Sequence, residues 1–136
     1  MIGILVVTHG RLAEGLMDSV ELIMGKQTDY KTLSLKHGDD ITSFGKKIKE
    51  AIIQLDKGKG VLVFTDLFAA SPYNQTAAIY KDLKNHDYRS ISGVNLPMLL
   101  ESFGRRLSNE SLEEITSAVI ETGKGGIKEL FTELKK

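Results

Sequence analysis

Cysteine is absent from the sequence, so disulfide bridges, thiolate metal ligands and cysteine nucleophiles are all excluded. Tryptophan is absent as well, and aromatic residues make up only 7% of the chain, which leaves few side chains on which nucleic-acid bases can stack. Neither charge sign dominates, because 18 basic side chains balance 18 acidic ones. We therefore expect neither nucleic acid nor an anionic membrane surface among its partners.

Long hydrophobic runs are missing too. No stretch approaches the length that spans a bilayer. The apolar run at residues 2–7 is shorter than a signal-peptide core and has no basic segment before it. We therefore expect a cytoplasmic protein. A chain of 136 residues suits one domain rather than two, so residues 1–136 are expected to form a single domain.

Four short apolar runs alternate with longer segments. The runs at residues 2–7 and 60–65 are continuous, the run at 31–36 alternates with polar residues, and the run at 90–94 is weaker. This pattern predicts four strands, with 31–36 at an edge of the sheet. The tail after Gly126 is typical either of a short strand and turn or of a frayed helix.

The longer segments repeat apolar residues at the spacing of helices. Strands that alternate with helices predict an α/β domain, with a mostly parallel four-stranded sheet flanked by helices. The first helix is expected to bury one apolar face and the third to bury another. These faces comprise Leu12, Leu16, Val20, Ile23 and Met24 in the first helix, and Ala77, Ala78, Tyr80 and Leu83 in the third.

Chemistry is expected at the carboxyl ends of the strands, where open α/β sheets bind ligands. His9 follows the first predicted strand and Asp66 follows the third. If these strands are neighbours, the two side chains converge. The carboxylate then accepts a hydrogen bond from Nδ1–H, which fixes the tautomer and leaves Nε2 as a nucleophile. The alternative is a histidine that only packs at the end of a strand.

Ser71-Pro72 is the N-cap and first-turn pattern of a helix, whose N-terminus favours an anion. Ser71 can also donate its hydroxyl to a phosphoryl oxygen, although the motif alone equally describes an ordinary helix start. The remaining histidines, His37 and His86, fall in predicted loops without a convincing partner. Candidate walls of the site are Thr8, Gly10, Arg11, Ala70 and Asn95.

Three motifs, in order, resemble a known family. They are GILVVTHGRLAEGL at residues 3–16, VLVFTDLFAASPYN at 61–74 and SGVNLPMLLE at 92–101, and the ending AVIETGKGGIKEL at 118–130 is similar as well. Over nearly its whole length the chain resembles the enzyme IIA component of the mannose family of the bacterial phosphoenolpyruvate-dependent sugar phosphotransferase system.

The resemblance implies a phosphocarrier, and hence a phosphotransferase. It implies that His9 is phosphorylated on Nε2, that Asp66 orients His9 and that Ser71 lies beside the phosphoryl group. The implied donor is the phosphocarrier protein HPr, and the implied acceptor is the sugar-specific enzyme IIB, which works with the membrane permease components. We expect no cofactor and no metal, because imidazoles can exchange a phosphoryl group through positioning and local dipoles.

The resemblance also implies a homodimer that exchanges an antiparallel edge strand, here within residues 126–130. One departure concerns Ala69-Ala70, where many relatives carry Gly-Gly. Alanine tolerates a positive φ poorly, so this loop is expected either to hold ordinary dihedrals or to be mildly strained.

Other functions remain open at this point. A related carrier that serves a dihydroxyacetone kinase uses a similar domain. A receiver-like signalling module phosphorylated on aspartate is a different class, but it needs an acidic pair after the first strand, where this chain has Thr8-His9. The plainest alternative is an α/β binding module without transfer chemistry.

Overall fold

A computed structural model describes residues 1–136, and it contains four strands and six α-helices. The strands are β1 (Gly3–His9), β2 (Tyr30–Leu35), β3 (Val61–Thr65) and β4 (Tyr88–Ile91). The helices are α1 (Leu12–Met24), α2 (Ile41–Leu55), α3 (Ser71–Ala78), α4 (Leu96–Arg105), α5 (Leu112–Gly125) and α6 (Leu130–Leu134), with a 3-10 turn at Tyr80–Asp82. None of these helices is both long and apolar enough to cross a membrane.

The sheet has the strand order β2-β1-β3-β4, and every neighbouring pair is parallel. The α/β prediction is confirmed, and the sheet is wholly rather than mostly parallel. Strands β1 and β3 are central and buried on both faces, which explains their continuous apolar sequence. Strand β2 lies at an edge, as its alternating sequence predicted. Strand β4 begins at Tyr88 rather than Ser90 and ends at Ile91, because the chain bends at Ser92 and takes a positive φ at Gly93.

Helices cover both faces of the sheet and form two apolar cores. On one face α1, α4 and α5 pack against alternate side chains of β1 and β3, such as Val6 and Phe64. On the other face α2 and the segment after α3 pack against Val7 and Val63. His9 follows Val7 by two positions, so it leaves the sheet on the side of α2 and α3.

Two predicted helical faces differ from the structure. Helix α1 buries Ala13, Met17 and Val20, whereas Ile23 and Met24 are exposed. The repeat of apolar residues predicted the helix but selected a face rotated away from the buried one. The third helix ends at Ala78, where a 3-10 turn takes over, so the expected continuous face does not exist.

The C-terminal tail is helical at its end. Helix α5 extends to Gly125, and α6 begins at Leu130 without an intervening strand. Of the two sequence alternatives, the helical one is therefore correct for a single chain. An edge strand at 126–130 exchanged between two copies stays a prediction.

Candidate functional site

The parallel pairing of β1 with β3 brings His9 and Asp66 together. His9 is the last residue of β1, and Asp66 directly follows β3. The main-chain N–H of His9 donates to Asp66 Oδ2 at 2.9 Å, and Nδ1 of the same histidine lies 2.8 Å from that oxygen. The other oxygen, Oδ1, accepts from the N–H of Leu67 at 3.0 Å. The expected convergence of the two side chains is present.

Electrostatics fixes the state of this pair. Burial raises the pKa of Asp66, but the hydrogen bonds from the main chain and ring of His9 outweigh it and hold the pKa below its ordinary value. Asp66 is therefore ionised at neutral pH. Because a carboxylate only accepts hydrogen bonds, Nδ1 of His9 carries a proton, and in the neutral imidazole Nε2 therefore keeps its lone pair. The histidine side chain is 45% exposed and that of Asp66 only 10% exposed.

Helix α3 begins beside the loop that carries Asp66. Its N-cap is Ala70, which has no side chain able to cap, and Ser71 is the first helical residue. The prediction of Ser71 as N-cap is therefore wrong by one position. Its hydroxyl is not used in capping, and the N–H groups of Ser71 and Tyr73 have no carbonyl partner within the helix. This end of α3 therefore favours an anion.

The loop before α3 is strained at one residue. Ala69 has φ +63°, whereas Ala70 has an ordinary φ of −90°. A left-handed conformation costs an alanine roughly 1 kcal/mol. The side chain of Asn74 holds the loop by donating to the carbonyl of Ala69 at 3.0 Å. Of the two sequence alternatives for Ala69-Ala70, mild strain is the one observed.

Two candidate wall residues serve the scaffold. Thr8 is buried, and its hydroxyl accepts from the N–H of Ala13 at 2.9 Å at the start of α1. Asn95 caps α4 by accepting from the N–H of Met98 at 3.1 Å, and its amide donates to the carbonyl of Gly123 at 3.2 Å. The polar groups of both residues are therefore engaged within the fold.

The chain that leaves β1 remains accessible. Gly10 has φ +54°, a conformation suited to glycine, and its N–H donates to the carbonyl of Leu35 at 2.8 Å. Arg11 is exposed at the start of α1 and forms no ion pair. Arg11 therefore remains available to a ligand or partner at His9, whereas the N–H of Gly10 is engaged by Leu35.

Sequence reasoning missed two features. First, Lys36 and His37 line a cleft of about 390 Å³ together with His9. Both residues directly follow the edge strand β2, and this position is the feature of the sequence that could have indicated them. Second, the prediction that His86 lacks a convincing partner is wrong, because its Nδ1 lies 2.8 Å from Oδ2 of Asp56. Asp56 precedes β3 and His86 precedes β4. Because these strands are neighbours in the sheet, their amino ends lie side by side, which could have predicted the contact.

Grouped metal ligands are not found. No three histidine, aspartate or glutamate side chains are placed so that they could hold a metal ion.

Known proteins are similar to this chain in sequence and in fold. The sequence model of the family described as "PTS system fructose IIA component", where PTS is the phosphotransferase system, matches residues 3–120. The mannose-specific EIIAB component of Escherichia coli K12 is 35% identical over 95% of this chain, and the chain spans 39% of that relative's length. The sorbose-specific EIIA component of Lacticaseibacillus casei is 30% identical over 95% of this chain and 87% of its own.

Crystal structures of phosphotransferase system IIA proteins have a similar fold. The phosphotransferase system component EIIA from Streptococcus agalactiae superposes with a TM-score of 0.89 at 29% identity, covering 97% of this chain and 99% of the other. The IIA protein associated with the fucose utilization operon of Streptococcus pneumoniae has a TM-score of 0.82 at 30% identity, covering 97% and 95%.

Proposed function

This chain belongs to the mannose-family IIA components of the sugar phosphotransferase system, and from that membership we propose that it is a phosphocarrier that takes up a phosphoryl group on Nε2 of His9. The donor is phospho-HPr, and the acceptor is the enzyme IIB that works with the membrane permease. Residues 1–136 act as one IIA domain in the cytoplasm. The observation that carries the proposal is that Oδ2 of Asp66 accepts hydrogen bonds from both the main chain and the ring of His9, at 2.9 Å and 2.8 Å.

Asp66 prepares His9 for in-line attack. The lone pair on Nε2 forms a new bond to phosphorus, while the N–P bond of the donor phosphohistidine breaks and its electron pair returns to the donor imidazole. Positive charge grows on the ring of His9 during this step. The ionised carboxylate of Asp66 stabilises that charge through the proton on Nδ1.

Ser71 and the N-terminus of α3 stabilise the transferred group. The Ser71 hydroxyl makes no capping bond in α3, so it is free to donate to a phosphoryl oxygen. The unpaired N–H groups of the first turn supply further donors and the positive end of the helix dipole. Together they favour the negative charge that a phosphoryl group brings.

Onward transfer repeats the step in the opposite sense. A nucleophilic side chain of enzyme IIB attacks phosphorus, the Nε2–P bond breaks, and the electron pair returns to His9. The E. coli relative is named as an EIIAB component, which supports a IIB protein as the acceptor.

We extend the proposal to a homodimer. Several large apolar side chains of the C-terminal tail are exposed in the single chain, and burying them between two copies would be favourable. Light scattering at micromolar concentration measures the particle mass and decides between monomer and dimer. The exposed side chains are Ile127, Leu130, Phe131 and Leu134.

Phosphorylation by the purified phosphotransferase components tests the proposal. Incubated with phosphoenolpyruvate, enzyme I and HPr, the protein is expected to gain one phosphoryl group that is labile in acid and stable in base. His9→Gln is expected to abolish labelling, because glutamine lacks the nucleophilic lone pair. Intact-protein mass spectrometry measures the label.

The matched control is His86→Gln, since His86 makes an equally short contact to an aspartate. This variant is expected to be labelled like the wild type. A wild-type protein that stays unlabelled, or a label that survives in His9→Gln, contradicts the proposal.

A further inference from the structure

The cleft beside His9 is built by the edge strand β2. In the register of the sheet, His9 lies opposite Leu35, the last residue of β2. The N–H of Gly10 donates to the carbonyl of Leu35 at 2.8 Å, which ties the ends of the two strands together. Lys36 and His37 follow directly, and the cleft of about 390 Å³ is lined by these five residues alone. The cleft therefore opens onto the proposed phosphoryl acceptor.

A tight turn holds the two new residues in place. The N–H of Lys36 donates to Oδ2 of Asp39 at 2.8 Å, and the N–H of Asp39 donates back to the carbonyl of Lys36 at 3.1 Å. Gly38, between them, takes a φ of +82°. The main chain of Lys36 and His37 is thus fixed beside His9 before any ligand arrives.

The acidic residues of this turn are engaged by the main chain. Asp39 accepts from Lys36 N–H, and Asp40 caps α2 by accepting from the N–H of Ser43 at 2.9 Å. Neither the Lys36 ammonium nor the His37 ring has a carboxylate within 4.0 Å, and both residues are exposed. The cleft therefore offers a free cation and a free imidazole next to His9.

A phosphoryl group on His9 needs such partners. It carries between one and two negative charges at neutral pH, by analogy with other phosphorylated side chains. Helix α3 and Ser71 can bind it on the side of Asp66. Oxygens on the side of β2 face this cleft, whose free side-chain donors are Lys36 and His37.

Resting on the proposed function, we propose that Lys36 and His37 form a second phosphoryl-binding wall, which contacts the phosphoryl oxygens once the group is on His9. Lys36 pairs with an oxygen through its ammonium, and His37 donates a ring N–H. The wall stabilises the phosphorylated protein, so it shifts the exchange with HPr toward this chain. No bond is made or broken by either side chain.

The exchange equilibrium with phospho-HPr tests this wall. Lys36→Met keeps the length of the side chain and removes its charge, and it is expected to lower the equilibrium constant for phosphorylation about fivefold. His37→Gln is expected to act in the same direction with a smaller effect. The matched control is Lys26→Met, because Lys26 is exposed, forms no ion pair and lies at the opposite end of α1.

A second measurement uses the wild-type protein only. In ¹⁵N NMR spectra, the Lys36 Nζ and His37 ring signals are expected to shift on phosphorylation, while the Lys26 Nζ signal stays in place. Equal equilibrium constants for Lys36→Met and Lys26→Met, or unmoved Lys36 and His37 signals, overturn the wall although His9 is still labelled. If the wild type is not labelled on His9, the proposed function itself fails.

Discussion

Two histidine–aspartate pairs with equally short contacts lie at opposite ends of the sheet. Nδ1 of His9 is 2.8 Å from Asp66 at the carboxyl end, and Nδ1 of His86 is 2.8 Å from Asp56 at the amino end. Each aspartate also accepts two main-chain hydrogen bonds. Each has a pKa below its ordinary value, because these bonds outweigh the upward effect of burial.

The two carboxylates differ in the groups that donate hydrogen bonds to them. Oδ2 of Asp66 accepts from both the main chain and the ring of His9, so the carboxylate orients that histidine. Oδ1 of Asp56 instead accepts from Gly58 at 2.9 Å and Gly60 at 3.0 Å, which closes the turn before β3. His86 only covers the remaining oxygen, and its side chain is 29% exposed against 45% for His9. A short contact alone therefore does not identify a nucleophile.

The largest expected effect is a difference in the rate of phosphoryl transfer between variants of the two aspartates. Asp66→Asn is expected to slow phosphoryl uptake from phospho-HPr about 10²-fold, because the amide neither fixes the Nδ1–H tautomer nor stabilises the charge on the ring. Asp56→Asn is the matched control and is expected to stay within about twofold of the wild type. Rapid-quench kinetics measures both rates. Equal slowing in the two variants would remove the proposed orienting role of Asp66.

For folding stability, Asp56→Asn is expected to have the larger effect and Asp66→Asn the smaller one. Asp56→Asn is expected to lower the free energy of unfolding by about 2 kcal/mol at neutral pH, since it weakens a turn that includes the buried Gly60. Asp66→Asn is expected to cost about 1 kcal/mol, because water can replace its contact with the exposed His9. Urea unfolding measures both.

Lowering the pH tests whether the ionised carboxylate of Asp56 stabilises the turn. A carboxyl whose pKa is lower in the folded than in the unfolded protein stabilises the fold at pH values above its unfolded pKa, which is near 3.8 here. That stabilisation is lost as the pH falls toward the folded pKa. The stability gap between the wild type and Asp56→Asn is therefore expected to narrow from about pH 4 downward. A gap that stays constant into acid would show that the ionised form of Asp56 is not what stabilises the turn.

The smallest effect concerns backbone strain in the two loops. The turn at Asp56 has Gly58 and Gly60 at positive φ, whereas the loop after Asp66 has Ala69 there. Ala69→Gly is expected to raise stability by about 0.5 to 1 kcal/mol, because it relieves a left-handed alanine. Ala70→Gly is the control, and it is expected to lower stability slightly, since Ala70 has an ordinary φ. A loss of stability in Ala69→Gly, measured by urea unfolding, would contradict this account.

The sequence predicted the parts of the fold that depend on local pattern. Continuous apolar runs predicted the buried strands β1 and β3, and the alternating run predicted β2 at an edge. Strand-end logic then predicted the meeting of His9 and Asp66, because carboxyl ends of parallel neighbours share one edge. The amino ends of parallel neighbours meet in the same way at the opposite edge, and that rule would have predicted the contact of His86 with Asp56.

Other features depend on packing that a pattern does not contain. The apolar repeat of α1 does not reveal that Ala13 and Met17 face the sheet while Ile23 faces solvent. A motif does not reveal the sign of φ at Ala69, which the surrounding loop imposes. The cleft formed by Lys36 depends on how β2 ends against β1, which no single segment of sequence specifies.

Nε2 of His9 is the proposed phosphoryl acceptor. A long-range ¹H–¹⁵N correlation spectrum of the phosphorylated protein, with phosphorus coupling resolved, tests it most directly. We expect coupling to phosphorus at Nε2 of His9, with the proton on Nδ1, and an unchanged ring spectrum for His86. Coupling at Nδ1 of His9, or at a ring nitrogen of His37 or His86, would contradict it.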